Sequence, residues 1–285
     1  MKIKLFLISV IVLSVFIISF ITCSLGKKAP TIAFPYEWLD KPGFGGDIDQ
    51  QGIIEPSGIC FHPIRKTLFV VSDEGGLHEI ETDGTPVFNV KFPEDYDFEG
   101  VTVHPQTGLL YIVVEGDDVI FEFDPDMKVV TRIFPVNREY RGNPNFLQKQ
   151  EEEYDNGIES ITFVPDENHP EGGTFYMGNQ FDPSCIMEVL IPIKSSQAKT
   201  AEARILRVLP FELKDPSGIY YDPKTGFLNV VNDSDNIFVE LTLSGKMVRE
   251  YAFLGNSQEG IARDDDGFLY IAQDSGGIIR VKDLR

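Results

Sequence analysis

Cysteine, histidine and tryptophan are scarce in this chain of 285 residues, with 3, 4 and 1 copies. Three cysteines, Cys23, Cys60 and Cys185, do not make a disulfide framework. The sequence holds no G-x-S-x-G, H-E-x-x-H, P-loop or C-x-x-C, so the familiar hydrolase, zinc, nucleotide and redox signatures are missing. Basic residues are also few: 25 Lys and Arg stand against 45 Asp and Glu, a net charge of −20. A phosphate backbone is bound through clustered Lys and Arg, so nucleic acid is excluded as a partner, and cations, or basic and neutral ligands, are favoured. With 25 Gly, 18 Pro and 12% aromatics, the composition is that of a folded, turn-rich chain.

Long hydrophobic runs are missing except for one, LFLISVIVLSVFIISFI from Leu5 to Ile21, preceded by Lys2 and Lys4. That pattern reads as an export signal, at the short end of what spans a bilayer about 30 Å thick. Phe20-Ile21-Thr22-Cys23 resembles a lipobox, with Phe and Thr where Leu and a smaller residue are common. Lipidation of Cys23, an uncleaved anchor and an ordinary cleaved signal all remain open. The first two tether the protein to the membrane of a bacterial cell envelope on the extracytoplasmic side. Residues 24–54 then form a linker and one strand.

From residue 55 onward one unit recurs five times: EPSGICFHPIRKTLFVVSDEGG, FEGVTVHPQTGLLYIVVEGDD, IESITFVPDENHPEGGTFYMGNQ, DPSGIYYDPKTGFLNVVNDSD and QEGIARDDDGFLYIAQDSGG. Gly58 to Gly100 is 42 residues, as is Gly218 to Gly260, and the two middle intervals are longer. Each copy continues into a third alternating strand, and four continue into a fourth. Four strands at a period near 42 residues predict an all-β, five-bladed β-propeller with four-stranded antiparallel blades starting near 57, 99, 159, 217 and 259. The last copy has only three strands, so the N-terminal TIAFPYEWL is expected to pair with IIRVK and close the ring, as a monomer. Residues 137–156 read as a surface excursion, partly helical around FLQKQEEEY, and 192–203 as a flexible hairpin loop.

Inner strands of a propeller line its channel, so equivalent positions form rings. The position before the Gly reads Ser57, Glu99, Glu159, Ser217 and Glu259; the one ending the second strand reads Asp73, Glu115, Asn179, Asp233 and Asp274. Neither column contains Lys or Arg. Converging carboxylates repel unless protons or a cation intervene, which points to Ca²⁺ or Mg²⁺ held by Glu99, Glu159 and Glu259. The competing reading is that each Glu or Ser hydrogen-bonds a neighbouring blade's backbone N–H and staples the ring. Ser57, Ser217, Asp73 and Asp233 are the expected ligand contacts in the channel. Asp274 reads as a strand-end turn residue, His62 and His104 as turn positions, and Asp264-Asp265-Asp266-Gly267 as a β-turn.

The alternating S-G and E-G starts, the strand ends VVSDE, VVEGD and VVNDSD, and the N-terminal apolar segment resemble the SdiA-regulated family from about residue 50 onward. That resemblance implies an exported or membrane-anchored bacterial five-bladed propeller of the NHL-like kind, and little chemistry. The third copy departs from the family pattern, with Glu159-Ser160 for Glu-Gly and Gly178-Asn179 for a Lys-Glu pair. Two functions follow: a membrane-tethered binding module with a cation in its channel, taking an unknown small molecule or protein, or a metal-dependent hydrolase of an ester, lactone or phosphate with Asp73 or Asp233 as base.

Overall fold

A computed structural model of the chain describes residues 32–38, 46–92, 96–148, 157–210 and 214–285. Cys23 and the apolar run before it lie outside them. The elements are all strands: β1 (Ile32–Ala33), β2 (Tyr36–Trp38), β3 (Pro56–His62), β4 (Thr67–Ser72), β5 (Gly76–Ile80) and β6 (Pro86–Lys91). They continue as β7 (Phe98–Val103), β8 (Leu110–Val114), β9 (Val119–Asp124), β10 (Val129–Asn137), β11 (Ile158–Pro165), β12 (Gly173–Asn179), β13 (Cys185–Leu190) and β14 (Ala203–Val208). The last are β15 (Gly218–Asp222), β16 (Phe227–Asn232), β17 (Ile237–Thr242), β18 (Met247–Ala252), β19 (Gln258–Arg263), β20 (Phe268–Gln273) and β21 (Ile278–Asp283).

These strands form antiparallel meanders joined by tight turns, the blade-like sheets of a propeller. β3 to β6 make one four-stranded sheet, and β19, β20, β21 and β2 make another. β15 to β18 carry β1 in parallel on the outer edge, through Ile32 and Tyr251. β7 to β10 and β11 to β14 fuse into one eight-stranded sheet, because β10 is long enough for Val136 and Asn137 to pair in parallel with Ala203 and Arg204. The first strands of the meanders lie side by side: β3 against β7, β7 against β11, β11 against β15, β15 against β19, and β19 against β3.

Alternation supplies the core between meanders. Tyr111, Val113, Phe134, Phe163, Phe175 and Met187 pack as one buried cluster, and Val231, Phe238, Leu269 and Ile271 as another. Burying each such side chain contributes about 1.5–3 kcal/mol. The N-terminal segment is part of this packing: Phe34 is buried against Phe238 and Tyr251, while Tyr36, Glu37 and Trp38 pair with Asp283, Lys282 and Val281.

Residues 192–203 differ from the flexible loop expected of them. Glu171 accepts the N–H groups of Lys194 (2.5 Å) and Ser195 (3.1 Å), and Arg132 Nη1 donates to the carbonyls of Ile193 and Ser196 at 3.0 Å each. Ile133 exchanges backbone bonds with Lys199 and Ala201, so the segment is tied to β10. The helix expected around FLQKQEEEY falls mostly outside the described residues, and none of the described ones is helical. No helix among them is long and apolar enough to cross a membrane. Cys60 and Cys185 are buried free thiols, with no bridge between them.

Candidate functional site

The ladder between the first two strands of a meander is interrupted where the chain enters the channel. Pro56 pairs with Ser72 and Gly58 with Val71, leaving Ser57 out of register. The same shift falls on Glu159, between Ile158 and Ser160, on Glu259, between Gln258 and Gly260, and on the Glu99-Gly100 step. A β-bulge bends the strand and re-aims a side chain that the ladder would otherwise point elsewhere. This local kink puts the oxygen-bearing column at the channel mouth.

The glycine that follows has a steric cause. A Cβ on Gly260 would lie 2.8 Å from Ile59 N and 3.0 Å from Ser57 O, on the neighbouring inner strand, and one on Gly218 would lie 2.6 Å from Glu259 O. Only a residue without a side chain lets the strands approach so closely. The third meander solves the problem differently. Ser160 occupies the Gly position and donates to Pro216 O at 2.7 Å, while its ladder partner is Gly178, where the first and fourth meanders have Val71 and Val231. The departure from the family pattern is thus an exchange of volume across one ladder rung.

At this mouth lies a cavity of about 200 Å³, walled by Ser57, Asp73, Asp97, Glu99, Glu115, Glu159, Gln180, Glu259 and Asp274. Asp73, Asp97 and Glu99 each offer an oxygen, all within 4.8 Å of one another. Glu159 shares hydrogen bonds with Glu115 and Glu99, and Ser57 donates to Asp73 and to Glu55 O.

Crowding of like charges in a dry site raises carboxyl pKa values. Burial, then the neighbouring Asp233, Asp215 and Asp274, push Glu259 up to about 9. Burial and the charges of Asp97 and Asp274 push Asp73 to about 7, against the lowering effect of its bond from Ser57. Burial and mutual repulsion hold Glu99 and Glu159 well above the usual carboxylate range. The cavity is therefore acidic in composition, with Glu99, Glu159 and Glu259 held toward their protonated forms near neutrality.

All three glutamates singled out in the sequence, Glu99, Glu159 and Glu259, stand on this wall with Ser57 and Asp73. Ser217 does not: it sits at the constriction beyond, donating to Gln258 O at 2.8 Å. It and Ser160 staple neighbouring meanders, through carbonyls and not through the N–H groups expected. Asp233 is also off this wall, although its charge reaches Glu259.

Two positions were misjudged in the sequence, Asn179 and Asp97, whereas Asp274 is the strand-end turn residue expected, directly after β20. It also lines the cavity, because its N–H bonds Ser257 O at 2.9 Å, continuing the ladder past the bulge. By the same rule, Gln180, whose N–H bonds Gly157 O at 2.9 Å, and not Asn179, is the third member of the second column. Asn179 instead donates to the carbonyls of Phe181 (2.6 Å) and Pro183 (3.0 Å). Asp97 was missed; its carbonyl accepts the N–H of Glu115 at 2.8 Å, and the column Glu55, Asp97, Gly157, Asp215, Ser257 is the signal that would have found it.

Beyond the bulges the channel narrows to about 10 Å³ between the ring glycines and Ile59, Val101, Ile161, Ile219 and Ile261. That is room for about one water, so the two mouths do not communicate for solutes. His62 and His104 serve turns beyond it: His62 Nε2 contacts Gly108 O at 3.0 Å, and His104 Nδ1 accepts the N–H of Thr107 at 3.3 Å.

The fold has relatives among solved structures. Glutaminyl cyclase of Myxococcus xanthus superposes with a TM-score of 0.59 at 10% identity, over 88% of this chain and 97% of that one. A protein of unknown function from Bacteroides caccae gives 0.45 at 16% identity, over 76% of this chain and 70% of that one. Hydrazine synthase of Kuenenia stuttgartiensis gives 0.45 at 14% identity, over 82% and 58%. Identities this low speak to fold alone. No curated protein matches the sequence. The family model of the SdiA-regulated proteins matches residues 38–275, and the chain belongs to that family.

Proposed function

We propose that this protein is a binding module: a five-bladed propeller, tethered on the extracytoplasmic side of a bacterial membrane through Cys23 or the apolar run before it, with a divalent cation in its acidic mouth. The blade count rests on the closed circuit of contacts among β3, β7, β11, β15 and β19. The cation reading rests on one observation, the approach of Asp73, Asp97 and Glu99 oxygens to within 4.8 Å. Oxygens about 2.3–2.6 Å from a common Ca²⁺ stand at such separations, and Ca²⁺ takes 6–8 of them. Ser57, Glu259 and Gln180 on the same wall supply more. Glu99, in the sequence-derived ligand set, stays in it; Glu159 and Glu259 become the outer part of the site. A bound ion would replace the protons that now hold the carboxyls together, and the closed constriction makes the site a one-ended cup that presents the ion to a ligand at its mouth.

The test is thermal unfolding of the full chain in lipid nanodiscs, first in EDTA and then with Ca²⁺ or Mg²⁺. An ion that binds only the native state adds about 2.7 kcal/mol at 100 times its Kd. The Asp73→Asn/Asp97→Asn/Glu99→Gln variant should fold and lose that response. A parent indifferent to both ions, or a variant that responds equally, refutes the reading.

A further inference from the structure

The opposite mouth of the channel holds a second cavity, of about 370 Å³, separated from the acidic one by the constriction. Its wall has another chemistry. Pro63, Pro105, Pro165 and Pro223, each six residues after the ring position of its inner strand, stand around it, with Phe61, Phe163, Tyr220 and Tyr221 between them. A cavity at the lower end of the about 300–1,000 Å³ range of ligand sites, with aromatic and proline walls and a mostly apolar surface, suits a molecule of one or two rings.

The polar groups on this wall with bonding capacity to spare include donors. Thr102 Oγ1 accepts the N–H of Phe163 at 3.2 Å, and Thr162 Oγ1 accepts the N–H of Tyr221 at 3.0 Å. A hydroxyl that accepts from the backbone still has its own proton to give. Arg263 also lines the cavity, and its buried Nε–H has no hydrogen-bond partner among the described residues. The acceptors there are engaged: Asp222 takes Arg263 Nη1 at 3.2 Å and the N–H of Lys224 at 2.9 Å, and Asp264 takes Tyr270 Oη at 2.8 Å and the N–H of Phe268 at 2.8 Å. Asp265 pairs with Lys66 at 2.6 Å. Lys224 Nζ donates to Asp265 O at 3.2 Å. The charged groups of the cavity thus already have partners, which disfavours an ionic guest, while donors wait for an oxygen.

We propose that this cavity binds a small, uncharged aromatic molecule that carries a carbonyl or equivalent acceptor. Its ring lies among the prolines and aromatics, and its oxygen takes protons from Thr102, Thr162 or Arg263. The site is independent of the cation, because the constriction blocks passage between the two mouths.

Fluorobenzamide, fluoroindole carboxamide and fluoroquinolinone, each beside its carboxylic acid or amine counterpart, can be followed by ¹⁹F NMR with the full chain in nanodiscs, against empty nanodiscs. The uncharged carbonyl compounds should broaden at least several-fold more than their charged counterparts, equally in EDTA and in Ca²⁺. Val103→Trp, which fills the cavity from its wall, should abolish the broadening, and Thr162→Val should weaken it about tenfold. If Val103→Trp does not fold, Gln106→Trp at the exposed rim takes its place. Equal broadening by charged and uncharged compounds, no broadening by either, or broadening that survives the filled cavity in a folded protein would overturn the proposal.

Discussion

Replacing Glu259 with Gln tests the electrostatics of the acidic mouth most directly. The carboxyl is held at about 9 in the folded protein against 4.5 as its ordinary value, with burial as the main cause. Between those values the native state keeps a proton that the unfolded chain releases, so stability falls as pH rises from about 4.5 and the loss is complete above about 9. Each unit corresponds to about 1.4 kcal/mol, so by pH 7 this one group costs about 3 kcal/mol. Glutamine has the shape of the protonated acid and no such cost. In EDTA, Glu259→Gln should match the parent near pH 4.5 and exceed it by about 3 kcal/mol at pH 7, a rise of about 6–12 °C in Tm for a domain of this size. The assay is thermal unfolding of both proteins from pH 4.5 to 8.5, and the difference between the two curves isolates Glu259 from every other titrating group. A difference that does not grow with pH, or a variant less stable than the parent at pH 7, would refute the reasoning.

Ca²⁺ should bind more tightly as pH rises from 6 to 8, with protons released on binding, because Asp73 at about 7 and the higher Glu259 must both ionise; calorimetric titration in buffers of different ionisation enthalpy reads this. Gly260→Ala should cost about 1–3 kcal/mol, since its Cβ meets Ile59 N and Ser57 O, whereas Gly226→Ala, with open space around it but a φ of +73°, should cost about 1–2 kcal/mol from backbone strain alone; denaturant midpoints compare them. Arg285 bonds Glu240 and Asp283 at 2.7 Å each and lies over Phe34 and Phe238, so Arg285→Ala leaves these buried carboxylates only their longer pairs with Arg249 (3.6 Å) and Arg263 (3.7 Å) and loosens the N-terminal segment. A loss of about 3–5 kcal/mol is expected in unfolding experiments, and a change under 1 kcal/mol would mean that the pairs are not formed.

Much of the candidate site was legible because the repeat turns position in the chain into position around an axis. The first column led to Glu99, Glu159 and Glu259 on one wall, and the fit of TIAFPYEWL to the unpaired β21 followed from counting strands. The errors share one cause. A bulge at Ser57, Glu159 and Glu259 shifts the register by one residue, so whether Asn179 or Gln180 faces the cavity depends on hydrogen bonds that residue types do not reveal. Asp274 is the strand-end turn residue its type suggests, and only its place on the cavity wall was not legible.

The amino-acid sequence by itself determined the all-β class, the unit and its period, the acid-rich mouth and the absence of basic residues from it. These depend on side-chain type and spacing, which are local. Only the tertiary structure decided that Asp97 joins Asp73 and Glu99 within reach of one ion, that Ser160 and Gly178 exchange volume across a rung, and that a narrow throat divides an acidic cup from an aromatic one. Those depend on how closely inner strands far apart in the chain approach at the axis, a distance set by packing of the whole ring.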